Sequence, residues 1–382
     1  MLQPCRPVSW SAILLACRRW CLDIPQSQTF SSWSCSALSR EVKRQRDTTL
    51  LIDGNNMLYD VYDSRCKLIW NDEPIGAAVR FVQRVREIVH SKQANRLAII
   101  FDTPQTNQRQ LANAMYKPAH QRRTMAQHLR TQFPITIDVL KALRFPVIQV
   151  PSVEADDLIA SYAKASVVDG FDVVIVTNDT DMYQLVQTSL SPKDKVDHQV
   201  IVYRPMARQS IREARVKKLL GGARPSQQPE IRALCGDLRG KTPGIPGGMQ
   251  IREAVALLNA HGGLMRLLRN LDEVQDKSLS QRLKSSISMI EQAYKLSKLN
   301  ECVPLPVPPA KLTIKQPLDF NRKVLDEVFG PEGTAMVFQA QAKVRGHRPC
   351  HLEILPIDED PDDACAPTTE AALDQWFDSI KG

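Results

Sequence analysis

Cysteine is scarce where it would matter. The 382-residue chain has nine, four of them (Cys5, Cys17, Cys21 and Cys35) within the first 46 residues, and no two stand in Cys-x-x-Cys spacing. That pattern argues against a zinc site or a disulfide framework, and the remaining thiols suit a reducing compartment. Long apolar runs are missing as well. The one strongly apolar stretch near the start, Ala12 to Cys17, is too short to span a bilayer, so no membrane association is expected. Acid is scarce at one end and base at the other. Residues 1–46 carry seven basic side chains against Asp23 and Glu41, with eight serines, the Arg-rich, Ser-rich and acid-poor composition of an organellar transit peptide. A mitochondrial location is expected from it. From Glu353 to Gly382 there are nine acids and one base, Lys381. Residues 47–352 are left with an excess of eleven positive charges, the footprint of a phosphate-backbone partner.

What is present is organised around acids. Val153-Glu154-Ala155-Asp156-Asp157 places three carboxylates on the opening turn of an expected helix, with Ser152 as its expected N-cap. Some twenty residues later the apolar run Val173 to Val176 stops at Asp179 and Asp181. Leu50 to Ile52 ends at Asp53 and Leu97 to Phe101 at Asp102. In an open parallel sheet the carboxyl ends of the strands share one edge, where ligands bind, so these acids point to one cleft. Carboxylates gathered in this way repel one another and call for hard cations such as Mg²⁺ or Mn²⁺.

Between Thr49 and Tyr203 short apolar runs alternate with helix-length segments, with further strands expected at Val147–Val150, Val173–Val176 and Val200–Tyr203. This alternation predicts an α/β fold with a mainly parallel central sheet flanked by helices. The spacing of Phe81, Val82, Val85, Ile88 and Val89 predicts a helix over 77–90 that turns Arg80, Arg84 and Arg86 to water. Residues 107–133 are long, polar and basic, and would emerge above the acidic edge. After residue 220 helical hairpins are expected. Gly/Pro turns over 236–248 separate a short helix at Ile231–Cys235 from a run at Met249–Leu258, and another helix covers Lys277–Leu299. Backbone N–H groups in such turns can meet a phosphate where no Cβ intervenes.

Taken together, these motifs resemble the 5′-nuclease (flap endonuclease) family, in the form found as the N-terminal domain of bacterial DNA polymerase I and as free phage and bacterial exonucleases. Leu51-Ile52-Asp53-Gly54 with Tyr59, Phe101-Asp102, Tyr116-Lys117, Glu154-Ala155-Asp156-Asp157, Asp179-Thr180-Asp181, Gly236-Asp237 and Pro243-Gly244-Ile245-Pro246-Gly247 follow in family order over residues 48–345. The resemblance implies a PIN-like nuclease domain with two divalent ions, a helical arch over the cleft and a helix–three-turn–helix that grips duplex DNA. Its implied divisions are a transit peptide at 1–46, a nuclease domain at 47–225, a duplex-binding subdomain at 226–300, a packing element at 301–350 and an acidic tail at 351–382.

By the same resemblance Asp53, Asp102, Glu154 and Asp156, with Asp157 close by, would surround the first Mg²⁺ or Mn²⁺ ion. Asp179, Asp181 and Asp237 would surround the second. Lys117 would stabilise charge on the scissile phosphate. Tyr59, Arg109, Tyr116, Arg122, Arg123, Gly244, Gly247, Gly248 and Arg252 would contact nucleic acid. The implied substrate is duplex DNA carrying a 5′ flap or an RNA primer, with a 5′-phosphate product in DNA replication or repair.

The chain departs from the family at several of these places. Gly240 and Lys241 stand where a second Asp and an Asn are usual, which should weaken the second cation site. His120 replaces an Arg, Asp60 stands where an Arg commonly follows the tyrosine, and Gln250 replaces a glycine of the hairpin. Two other readings therefore stand beside the nuclease: a structure-specific binding protein that has lost catalysis, and a PIN-type ribonuclease acting on structured RNA. The tail, with Leu373, Trp376, Phe377 and Ile380 on a short amphipathic segment, could dock a protein partner.

Overall fold

The computed structural model describes residues 47–103, 127–190, 197–236, 244–314 and 320–339. Arg109, Tyr116, Lys117, His120, Arg122, Arg123, Asp237, Gly240, Lys241, the leader and the acidic tail lie outside the described residues.

Strand β1 (Thr48–Asp53) is followed by helix α1 (Gly54–Val61), a hairpin of β2 (Ile69–Trp70) and β3 (Glu73–Pro74), and helix α2 (Gly76–Lys92). Then come β4 (Arg96–Ile100), α3 (Gln132–Ala142), β5 (Val147–Ile148), α4 (Ala155–Val168) and β6 (Asp172–Val176). A 3-10 turn at Thr180–Leu185 leads to β7 (Gln187–Leu190), β8 (Asp197–Arg204) and β9 (Gln209–Ile211). Among the described residues the main sheet has seven strands in the order β5-β4-β1-β6-β8-β7, with β9 also on β8. The pairs β5–β4, β4–β1, β1–β6 and β6–β8 are parallel, and β7 and β9 join antiparallel. The sheet is thus mainly parallel, as the alternation of strands and helices predicts.

Central strands covered on both faces read as unbroken apolar runs. Leu50, Leu51 and Ile52 of β1 have no exposed surface, as do Val173, Ile175 and Val176 of β6. Alternate side chains feed two cores. Leu51, Val173 and Ile175 pack with α4 and the C-terminal helices; Leu50, Ile52 and Val176 pack with α1 and α2. β7 (Gln-Thr-Ser-Leu) and β9 (Gln-Ser-Ile) carry no such run, which is why their polar edge pairing is invisible to periodicity.

The C-terminal half is helical: α5 (Glu213–Leu219), α6 (Gln228–Cys235), α7 (Ile251–His261), α8 (Leu264–Arg269), α9 (Lys277–Ser285), α10 (Ile287–Ser297) and α11 (Arg322–Phe338). The single helix expected over Lys277–Leu299 is two, because Ser286 leaves helical geometry between them. The proline-rich stretch before α11 is a strap over the sheet domain. The Tyr162 hydroxyl on α4 donates to the Val307 carbonyl at 2.9 Å, and Val303, Leu305 and Val307 pack on the core. No helix among the described residues is long and apolar enough to cross a membrane.

The three arginines expected to face water do not stand free in it: Arg80 is half-buried beside Asp63 at 3.6 Å, Arg86 is half-buried and donates to the Val337 carbonyl at 3.3 Å, and Arg84 departs furthest. Arg84 does not face water: it is 4% exposed and its guanidinium meets Glu87 at 3.1 Å. Burial lowers its pKa, and Glu87 and Asp60 stabilise its charge. Glu87 is its neighbour one turn along α2, but helical spacing could not show Asp60 of α1 closing over it from another element.

Candidate active site

The acids converge because the strands that end in them are neighbours. β1 lies between β4 and β6 in parallel register, Asp53 opposite Ile100 and Ile52 opposite Val176. This puts Asp53, Asp102 and the Thr177–Asp181 segment at one sheet edge. Asp53 ends β1 and caps α1, accepting from the Asn56 N–H at 2.9 Å through Oδ1. Its Oδ2 accepts from the Thr177 hydroxyl at 2.9 Å, and Thr177 Oγ1 accepts from the Asp179 N–H at 3.0 Å. Asp179 in turn caps the 3-10 turn, accepting from the Asp181 N–H at 3.0 Å.

Gly54 lets the start of α1 lie against the end of β4, since a Cβ there would sit 2.6 Å from the Phe101 ring. Two asparagines on the first turn of α1 hold the neighbouring strand ends. Asn55 Oδ1 accepts from the Asp102 N–H at 3.0 Å, and Asn56 Oδ1 accepts from the Asn178 N–H at 2.9 Å. Asp102 Oδ1 accepts from the Ala155 N–H at 2.8 Å, docking the start of α4 on the same edge. Glu154 is the N-cap residue of α4 and is buried, with Asp156 and Asp157 in the first turn. Ser152 is not the cap: it sits in left-handed backbone (φ 63°), two residues before the Glu154 that caps the helix.

Asp157 carries a structural bond as well, accepting from the Asn300 N–H at 2.8 Å and tying α4 to the strap. Asp181 is ion-paired to Arg232 of α6, whose guanidinium also donates to the Thr180 hydroxyl at 3.1 Å. Thr177, Asn55, Asn56 and Arg232 are site residues that sequence reasoning missed. Asparagines after a strand-end Asp were the available signal for two of them; Arg232 reaches the cleft only through the packing of α6.

The electrostatics follow from burial. Asp53 is 5% exposed. Desolvation, with smaller repulsion from Asp102 and Asp179, pushes its carboxyl up from 3.8 to about 7 against the bonds from Asn56 and Thr177. Among the described residues no three acids, histidines or cysteines close into a complete ion cage, and Asp237 lies outside them. The donor set nevertheless fits a hard divalent cation. It is all carboxylate oxygen, and its buried member Asp53 stays ionised at neutral pH only at a cost that a cation would offset.

Around this edge stand the other predicted residues. Tyr59 is 42% exposed and meets the Phe133 ring edge-on at 6.0 Å, with Phe133 in turn on Phe101 at 6.4 Å. Asp60 is half-buried. Burial raises its pKa, while Asn178, Arg84 and Arg204 stabilise its charge, so the acid that stands in place of the usual arginine sits among arginines of other elements.

In the helical half, Gly247 (φ 82°) and Gly248 (φ 71°) form the turn before α7, on whose first turn Arg252 lies. Arg282 of α9 staples that turn, donating to the Pro246 carbonyl at 2.9 Å and the Gly248 carbonyl at 2.5 Å. Gly244 is held by contact. A Cβ there would lie 2.5 Å from the Cys235 carbonyl carbon and oxygen, which are backbone and cannot swing away. Gly244→Ala is expected to cost about 1–3 kcal/mol of stability, read as a lower unfolding temperature. An unchanged temperature would show that the turn adapts.

A strand-end acidic cleft in a mainly parallel α/β domain, joined to a helical half with a glycine-rich turn, is the arrangement of a 5′-nuclease. Residues 48–220 match the family described as 5′-3′ exonuclease, N-terminal resolvase-like domain, and residues 223–319 match 5′-3′ exonuclease, C-terminal SAM fold. The two consecutive matches cover most of the chain, which belongs to the 5′-3′ exonuclease family.

Among its relatives, the 5′-3′ exonuclease of Aquifex aeolicus is 28% identical over 276 residues, 72% of this chain and 89% of that protein. DNA polymerase I of Mycobacterium bovis is 30% identical over 287 residues, 72% of this chain and 30% of that protein. DNA polymerase I of Bacillus caldotenax is 27% identical over 258 residues, 67% of this chain. The chain spans only 28% of that polymerase. Two solved structures share the fold. Bacteriophage T5 5′-exonuclease with bound zinc has a TM-score of 0.54 at 17% identity, covering 76% of this chain and 96% of that one. The T5 flap endonuclease with DNA and metal ions has a TM-score of 0.54 at 16% identity, covering 76% and 97%.

Proposed function

We propose that this protein is a divalent-metal-dependent, structure-specific 5′-nuclease. It would hydrolyse phosphodiester bonds in 5′ flaps or RNA primers on duplex DNA, in organellar, most simply mitochondrial, replication or repair. The observation that carries the reading is the convergence of Asp53, Asp102, Glu154 and Asp179 on one sheet edge, held there by Thr177, Asn55 and Asn56. The metal and DNA named for the T5 enzymes support it. The proposed ligands are Asp53, Asp102, Glu154 and Asp156 for one Mg²⁺ or Mn²⁺, with Asp179, Asp181 and Asp237 for the other. A bound ion supplies Lewis-acid activation of water and neutralises charge on the phosphate.

The remaining work falls to the chain itself. Thr177 keeps Asp53 turned into the cleft and ties it to the Asp179 backbone, so one hydroxyl aligns both halves of the site. Tyr59 offers an exposed aromatic face at the rim, on which a base can stack. Lys117 is proposed to meet the scissile phosphate and Arg109, Tyr116, Arg122 and Arg123 the strand above it. The turn at Gly244, Gly247 and Gly248, with Arg252 behind it, would hold duplex backbone; the bonds from Arg282 fix two of its carbonyls. The acidic tail is proposed as the contact for a protein partner.

One observation favours the rival of a weakly catalytic binding protein: the Arg232 guanidinium already neutralises Asp181, an acid assigned to the second ion. Equal 5′-labelled strands of DNA and RNA, annealed as flap, nick or single strand, separate the readings. The proposed function predicts cleavage of flap duplex well above single strand. Arg282→Ala should weaken duplex binding about tenfold with little change in cutting rate at saturation. Tight binding without a cut in any strand would establish the binding protein, and cleavage confined to RNA would establish the ribonuclease.

A further inference from the structure

The polar recess at the far end of the sheet is not used by the nuclease reading. It lies where the last turn of α2 meets the amino ends of β1 and β6 and the β8–β9 pair, and has a volume of about 360 Å³. Thr48 of β1 lines it, whereas Asp53, at the other end of the strand, belongs to the acidic cleft. Five residue steps of strand separate the two by about 16 Å.

Two cations face this recess, Lys92 and Arg212. Lys92 Nζ donates to the Ser210 hydroxyl at 3.2 Å and lies 4.2 Å from the centre of the Tyr203 ring. Arg212 donates to Gln199 Oε1 at 3.3 Å. Among the described residues neither is ion-paired. The one acid in the lining, Asp172, is nearly buried and already accepts from the Gln199 N–H at 3.1 Å, with His198 Nδ1 at 3.8 Å. Burial lowers the Lys92 pKa, and Arg212 lowers it further. Lys92 is partly buried beside the exposed Arg212, so its charge carries a cost that an anion between the two would reduce.

We propose that this recess binds a small phosphate monoester of the size of a nucleoside 5′-monophosphate, at a site separate from the acidic cleft. A phosphate dianion matches two cations and a hydroxyl through its several oxygens. The volume exceeds what a bare phosphate needs and falls at the lower end of the range of small-molecule sites. The polar groups of Thr48 and Gln199 suit the hydroxyls of a sugar. The assignment stands on the recess alone and does not depend on the nuclease reading.

Calorimetric titration of the full chain tests it, in EDTA so that no divalent ion can hold phosphate at the acidic cleft. The probes are a nucleoside 5′-monophosphate, inorganic phosphate and the unphosphorylated nucleoside. The expected order is monophosphate tighter than phosphate, with no binding of the nucleoside. Lys92→Gln and Arg212→Gln should each weaken the monophosphate about tenfold or more, and Lys92→Arg should restore most of it. Unfolding temperatures of the variants control for folding. Absence of binding by both phosphate probes at millimolar concentration would overturn the proposal, as would full affinity in both Gln variants. Equal affinity for phosphate and monophosphate would overturn its nucleotide part.

Discussion

Asp53→Asn is expected to lower the rate of flap cleavage by on the order of a thousandfold while leaving duplex binding and the fold nearly intact. The amide keeps an oxygen to accept from the Asn56 N–H, and its NH2 can donate to Thr177 Oγ1 in place of accepting from it, so the side chain stays seated with the second bond reversed. What it loses is the charge of a buried carboxylate at the cleft. Asp53→Ala is the less informative variant, because it also removes the cap of α1 and strands Thr177, at a cost of about 1–3 kcal/mol. The measurement is single-turnover cleavage of a labelled flap beside equilibrium binding of the same duplex. A rate within tenfold of wild type would show that Asp53 is a structural cap and that the chemistry lies elsewhere.

The same carboxyl sets the second prediction, which concerns stability. Its ordinary value is 3.8, and burial, helped by Asp102 and Asp179, raises it to about 7 in the fold. The folded protein therefore holds this proton more tightly than the unfolded chain. The group's contribution to stability is greatest below about pH 4, falls as pH rises between about 4 and 7, and is gone above about 7. The swing is on the order of a few kcal/mol. A divalent cation takes over the proton's role in balancing the cluster, so added Mg²⁺ or Mn²⁺ should raise the unfolding temperature much more near pH 7.5 than near pH 5. Asp53→Asn should flatten both dependences. Thermal unfolding in EDTA and in each metal at the two pH values reads all three effects. A metal shift of equal size at both pH values would place ion binding away from Asp53.

Much of this site is legible without coordinates, for a physical reason. Strands buried on both faces must be apolar throughout, so Leu50–Ile52, Leu97–Ile100 and Val173–Val176 stand out, and a carboxylate ending each run can only lie at the sheet's edge. Parallel register then does the gathering. The groups that hold the acids in place are less visible. Asn55 and Asn56 look like ordinary helix-start residues until β4 and β6 flank β1, and Arg232 looks like any helix arginine until α6 packs beneath Thr180. Arg84 fails in the opposite direction: its spacing on α2 says water, but Asp60 of α1 stands over it beside its own helix neighbour Glu87. Periodicity reports one element against an average surface, whereas the contacts of Asn55, Asn56, Arg232 and Asp60 belong to pairs of elements.

The most direct test of the central claim, that the carboxylates at the carboxyl edge of the sheet work as a metal-dependent 5′-nuclease centre, is cleavage of a 5′-labelled flap duplex by the full chain in Mg²⁺, Mn²⁺ or EDTA, with Asp179→Ala alongside. The account predicts a discrete labelled product in either metal, none in EDTA and none from the variant, with Mn²⁺ the better ion if Gly240, Lys241 and the Arg232–Asp181 pair thin the second site. Tight flap binding with no product in any condition, or cleavage that survives both EDTA and Asp179→Ala, would contradict it.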